Sequence, residues 1–178
     1  IFYPANFWKH KNHVKLIQAL VIIHKKFRRK IHLVLTGQKK KLDHEIIRLI
    51  KKERLSKYIH ILGYIDQSDI SAVYERSNLV IFPSLFEGFG IPLVEAMICN
   101  RPIVCSDRTS IPEVVGDAAE FINPENADDI AEKILLVLDN PEIRKYLVEK
   151  GKTQSKKFSW EITADKTLQV FNEIVMKK

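Results

Sequence analysis

The sequence predicts an α/β fold, a doubly wound, Rossmann-like parallel sheet of about six strands with helices on both faces. Three observations carry this. Short apolar runs alternate with stretches of helical periodicity along the whole chain, the pattern of β-α units. Most of the runs are continuously aliphatic or β-branched, as in strands buried on both faces of a parallel sheet. The two loops of least ordinary composition follow the first and fourth runs, the neighbours across the switch point of a sheet ordered 3-2-1-4-5-6.

The first run is Ile1–Pro4. After it, Val14, Leu16, Ile17, Leu20, Val21, Ile23 and His24 share one face at helical spacing. Ile31–Thr36 is the second run, and Leu42, Ile46, Ile47, Leu49 and Ile50 outline the next helix. Ile59–Leu62 is the third run. Asp66-Gln67-Ser68-Asp69 then offers capping side chains for a helix ending near Ser77. Leu79–Phe82 is the fourth run, and Pro92 in the first turn opens an apolar helix, Ile91–Ile98. Ile103–Cys105 and Ala119–Ile122 complete the strands. Asn126–Leu138 is a helix with Asp128 and Asp129 where the dipole favours them. Asn140-Pro141 opens another, and Ser159–Met176 reads as a long terminal helix. Without repeats, low-complexity tracts or linkers, residues 1–178 form a single domain. The chain begins inside its first strand-like run without Met, which points to a preceding segment.

Composition narrows the class. With 46% apolar and 29% charged residues, 178 residues suffice for one sizeable core. No apolar run approaches the roughly 20 residues that span a bilayer. Cys99 and Cys105 lack His or Cys neighbours at metal spacing and read as core thiols of a reducing cytoplasm. Charge is uneven. Residues 1–60 hold 16 Lys+Arg against 3 Asp+Glu, and the remainder 13 against 19. The basic clusters are residues 25–30, Lys39-Lys40-Lys41 and Lys51-Lys52. They suit a solvated face, or peripheral contact with an anionic membrane. The first lacks the interleaved aromatics of a single-strand nucleic-acid binder, so no nucleic-acid partner is expected.

The chemistry concentrates in the two unusual loops. Residues 83–97 run strand end, glycines, helix. Gly88 and Gly90 allow close approach of a ligand to the backbone, and the helix N-terminus suits a diphosphate. Glu95 is the only charged residue between Ile91 and Ile98. It lies roughly 7–8 Å beyond Gly90 at 1.5 Å per residue, about the separation of a diphosphate from its ribose. An acceptor-only carboxylate suits the two ribose hydroxyls. Glu87, at the loop tip, could accept hydroxyls of a sugar beyond the diphosphate. In the other loop, residues 5–13, Lys11 can reach phosphate oxygens across the crevice. His10 and His13 suit capping or loop packing. There is no Asp-x-Asp or His cluster, so no metal or other cofactor is expected.

These residues resemble the retaining, GT-B-fold glycosyltransferases of the large family four. The most specific piece is Glu87–Glu95, similar to that family's Glu-x7-Glu motif. Matches extend over nearly the whole chain: Tyr3-Pro4 through Lys11-Asn12, Leu35-Thr36-Gly37, Leu62-Gly63-Tyr64-Ile65, Ser77-Asn78, Pro102–Asp107 and Ile111–Ala119. The resemblance implies that the chain is the C-terminal, donor-binding half of a two-domain enzyme. A nucleoside-diphosphate sugar, UDP- or GDP-linked, would be its substrate, and a glycan or lipid acceptor would sit on an N-terminal domain. Lys11 and Glu87 would then be the catalytic pair, Lys11 neutralising the diphosphate and Glu87 holding the sugar. Gly88, Phe89 and Gly90 would contact sugar and diphosphate through their backbone, and Glu95 would hold the ribose. The Tyr64–Ile65 backbone would line the base pocket, with Gln67 beside it. One departure stands out: Ala5 and Asn6 occupy positions where many members carry Arg. A nucleotide-sugar epimerase of the same fold and a non-catalytic nucleotide-binding module are the alternatives.

Overall fold

The computed structural model describes residues 1–38 and 44–176, and of Gln67 the backbone only. Lys39-Lys40-Lys41 and Leu42 lie outside the described residues. The strands are β1 (Phe2–Pro4), β2 (Leu33–Thr36), β3 (Ile59–Gly63), β4 (Val80–Phe82), β5 (Ile103–Ser106) and β6 (Ala119–Ile122). They form one sheet in the order β3-β2-β1-β4-β5-β6, parallel at every pairing. The expected topology is therefore observed, with β1 beside β4. All carboxyl ends share one edge, and the order reverses between β1 and β4.

Helices α1 (His13–Lys25), α2 (His44–Lys52), α3 (Gln67–Arg76), α4 (Ile91–Ile98), α5 (Ile111–Val115), α6 (Ala127–Asp139), α7 (Pro141–Ser155) and α8 (Trp160–Met176) surround the sheet. Capping side chains act at two helix starts, neither of them the one expected to be capped. Asn126 accepts from the backbone N–H of Asp128 and Asp129, and Asn140 from those of Glu142 and Ile143. Asp66 occupies the cap position of α3 but makes no such bond. Helix α5 has no long apolar period to announce it. Its five residues include Pro112 in the first turn and are followed by Gly116 as the C-cap.

The core runs along both faces of the central strands. Phe2, Tyr3, Leu33, Leu35, Ile81, Phe82, Ile103, Val104 and Cys105 are fully buried, and each large aliphatic side chain so placed stabilises by about 1.5–3 kcal/mol. Burial on both faces fails at the sheet's edge. In β3, His60 and Leu62 are exposed while Ile59 and Gly63 are buried, because an edge strand here is covered from one side. Strand β2 ends at Gly37, whose φ of 126° few L-residues adopt. A Cβ there would lie 2.6 Å from the Ala5 carbonyl oxygen, so the first loop can pack this closely only against glycine.

A few residues of the basic segment meet acidic partners. Lys26 pairs with Asp128 at 3.2 Å, and Arg29 grips Asp139 through two bonds of 2.9 and 2.8 Å. Lys25 reaches Glu53 at 2.6 Å. Packing α1 against α6 thus brings basic and acidic halves together. Helix α8 differs: it contains no buried residue, and Leu168, Phe171, Ile174 and Val175 are all exposed. No helix among the described residues is long and apolar enough to cross a membrane.

Candidate functional site

The two loops singled out in the sequence meet at the switch point, and a set of bonds fixes their approach. The Leu85 backbone N–H donates to the His10 carbonyl at 2.8 Å. Tyr3, fully buried in β1, donates its hydroxyl to the Lys11 carbonyl at 2.8 Å and accepts from Ser84 at 3.0 Å. Burial holds this phenol protonated, well above the usual range. Asn12 adopts a left-handed φ of 61°, a conformation Asn tolerates better than most residues. From there its amide donates to the carbonyls of Pro83 at 3.1 Å and Pro124 at 2.7 Å. Three loops at the carboxyl edge are so tied together.

Lys11 and Glu87, 76 residues apart, form an ion pair of 2.6 Å across the crevice. Their side chains are only 13% and 10% exposed. Lys11 Nζ also stands 5.7 Å from the centre of the Phe82 ring. His13 lies behind this pair, packed between the Tyr3 and Phe7 rings at 4.9 and 4.8 Å. Its Nε2 is buried with no hydrogen-bond partner among the described residues. Desolvation, with the nearby Lys11 charge second, lowers its pKa to about 3, so it packs as a neutral ring. His10 stacks loosely on Trp8, with 5.6 Å between ring centres.

Gly90 is the N-cap of α4 with φ 101°, and the Leu93 N–H returns to its carbonyl at 2.9 Å. The left-handed turn needs glycine. Gly88 is different: an added Cβ would meet nothing within 4 Å. Close packing does not demand glycine there. Phe89 is exposed, its ring edge-on to Phe158 at 5.6 Å.

Glu95 is half-buried one turn into α4. The buried Tyr74 of α3 donates its hydroxyl to Glu95 Oε2 at 2.7 Å and approaches the Pro92 carbonyl at 3.2 Å. Burial, reinforced by the Glu95 charge, raises the pKa of this phenol. A carboxylate so bonded at one oxygen is satisfied on its inner side and can accept at the other. Tyr64 and Ile65 follow β3 on the same sheet edge, Tyr64 strongly exposed. Gln67 opens α3, its side chain outside the described residues. Ala5 is buried, and Asn6 accepts from the Gln38 backbone N–H at 3.0 Å. Neither supplies the cation common at those positions.

Lys11 and Glu87 are thus in contact, Gly88–Gly90 and Glu95 belong to one loop-helix unit, and Tyr64–Ile65 shares the edge. The supports supplied by Tyr74 and Asn12 were not foreseen. Each is a polar residue whose partner is distant in sequence. Among the described residues, no cluster of three or more His, Cys, Asp or Glu is placed to hold a metal.

Comparison with known proteins agrees with this fold. The family model described as glycosyl transferases group 1 matches residues 1–154. The chain is 35% identical over 161 residues to O-antigen chain mannosyltransferase B of Escherichia coli, covering 90% of this chain and 42% of that protein. It therefore spans under half the length of that relative. The crystal structure of Anabaena Alr3699/HepE in complex with UDP and glucose superposes with a TM-score of 0.85 at 20% identity, covering 96% of this chain and 47% of the other. The C-terminal domain of a glycosyl transferase group 1 family protein (LpcC) from Francisella tularensis gives 0.75 at 24% identity, covering 88% of this chain and 84% of that one. With its six-stranded parallel sheet, its switch-point loops and these matches, the chain belongs to the group 1 glycosyltransferases, family four, as the C-terminal Rossmann-like half of a GT-B fold.

Proposed function

We propose that this chain binds the nucleoside-diphosphate sugar for a retaining hexosyl transfer, the hexose being mannose, to a glycan or lipid acceptor held by a second domain. The observation that carries the reading is the Lys11–Glu87 pair, desolvated at the N-terminus of α4. Two opposite charges out of water need a reason, and a diphosphate for Lys11 with sugar hydroxyls for Glu87 supplies one. Glu95 takes the ribose hydroxyls through the oxygen that Tyr74 leaves free. The α4 N–H groups and Lys11 face charge that grows on the departing diphosphate, an electrostatic contribution to leaving-group expulsion. The backbone at Tyr64–Ile65 borders the base, with Gln67 beside it. Mannose is favoured by the similarity to the E. coli mannosyltransferase. Assembly of surface polysaccharide at the inner face of a membrane accords with it, the basic residues outside ion pairs supplying weak peripheral attraction.

The test is a binding titration of GDP-mannose, UDP-glucose and ADP-glucose, with and without chelator, followed by transfer assays on the full-length protein. Saturable, chelator-insensitive binding of GDP-mannose and mannosyl transfer are expected. This chain alone should bind donor without transfer, since an acceptor positioned against the donor contributes roughly 7–11 kcal/mol to such a barrier. Binding of none of the three sugars overturns the reading, and sugar epimerisation without acceptor replaces it with the epimerase.

A further inference from the structure

The loop between β5 and α5 carries a feature that neither fold nor ion pair explains. Thr109 has a φ of 55°, a left-handed conformation that β-branched residues avoid because Cβ crowds the backbone. Such strain persists only where surrounding contacts hold it. Here the Thr109 hydroxyl accepts the backbone N–H of Glu87 at 3.1 Å. The next residue, Ser110, offers its hydroxyl proton to the Glu87 carbonyl at 3.0 Å and the Phe89 carbonyl at 3.2 Å. Consecutive hydroxyls therefore grip the peptide groups on both sides of Glu87. Glycine at position 109 would take the same φ without strain, but it could not offer the acceptor.

We infer that Thr109 and Ser110 are positioning residues for the donor sugar. They hold the Glu87–Phe89 backbone where the Glu87 carboxylate and the loop's peptide groups meet sugar hydroxyls, and they act through Glu87. The inference rests on the proposed function, in which the sugar lies at Glu87 and the diphosphate at Lys11 and the α4 terminus. Its consequence is selective. The hydroxyls matter for the sugar and not for the nucleotide, because Lys11 and α4 have supports of their own, through Tyr3, Asn12 and the left-handed Gly90.

The experiment measures the affinity of the full-length protein for the best-binding sugar among GDP-mannose, UDP-glucose and ADP-glucose, and for the matching nucleoside diphosphate. Thr109→Val keeps the shape and removes the acceptor; Thr109→Ser keeps the acceptor; Ser110→Ala removes the second hydroxyl and leaves Thr109 intact. Loss of one neutral hydrogen bond corresponds to roughly fivefold in affinity. Thr109→Val and Ser110→Ala should each lose about that factor for the nucleotide sugar, with the diphosphate unchanged, and Thr109→Ser should bind like wild type. If Thr109→Val does not fold, Ser110→Ala carries the same test. Equal losses for sugar-bearing and sugar-free ligands, or no loss for either, overturn the inference. A wild type that binds none of the three sugars overturns the proposed function itself.

Discussion

Two kinds of ion pair occupy this molecule. On the α1–α6 face, Lys26–Asp128 and Arg29–Asp139 join distant parts of the chain, with every side chain about half exposed. At the switch point, Lys11–Glu87 also joins parts far apart in sequence, yet its side chains are only 13% and 10% exposed. The outer pairs lie in water, where such pairs contribute little. The inner pair holds two charges where their desolvation costs more than a surface contact returns. A surface pair can be explained by the fold alone, whereas the inner one is the pair that the proposed function assigns to the donor.

The comparison can be broken most directly at Lys11. Replacing it with Met strands the Glu87 carboxylate in the crevice, and stability should fall by about 3 kcal/mol in denaturant titrations. The double variant Lys11→Met with Glu87→Leu should recover most of that stability and none of the diphosphate binding. Recovered binding would show that the pair serves the fold only.

The same desolvated crevice predicts a pH dependence through His13. The unfolded imidazole takes a proton near pH 6.5, while the folded one resists to about 3. Between these values the unfolded state binds more protons, so stability falls as pH falls. The slope approaches about 1.4 kcal/mol per pH unit below pH 6, giving a loss of about 1.6 kcal/mol between pH 6.5 and 5. Unfolding of wild type and His13→Phe across that range should diverge by this amount, and parallel curves would place the acid sensitivity elsewhere.

Glu95 is half inside and half outside, and sharpens the contrast. Glu95→Ala should weaken nucleoside-diphosphate binding by about 1.5–3 kcal/mol, the scale of hydrogen bonds to a charged group. A 2′,3′-dideoxy nucleotide should lose similarly on wild type and little more on the variant. Additive losses would leave Glu95 as a partner of Tyr74 and nothing else. The smallest effect belongs to the outer face. Arg29→Ala should change stability by less than about 1 kcal/mol, and added salt should shrink that change. A loss comparable to that at Lys11 would erase the distinction drawn here.

Much of the site was legible because its parts are contiguous. Gly88, Gly90 and Glu95 lie on one loop-helix unit, where glycine, a helix start and a lone carboxylate in an apolar helix signal together. Lys11 was legible once strand order put its loop across the crevice. Tyr74 was not, since its ring reads as ordinary core and only its hydroxyl has a special partner, 21 residues away. Thr109 was not, because no sequence pattern announces a β-branched residue with positive φ.

The common strand order for such a β-α alternation matches the observed sheet, and apolar periodicity and turn residues by themselves determined the succession of strands and helices along the chain. These are local properties, set by burial and by backbone preferences within a few residues. Only the tertiary structure decided which charges pair. The basic first third and the acidic remainder would permit many pairings, and the packing of α1 on α6 selected Lys26 and Arg29 for one set of partners. Likewise only the close approach of the β1 and β4 loops brought Lys11 to Glu87 and excluded water from both. Pairing energy depends on distance and on dielectric, and a linear sequence specifies neither.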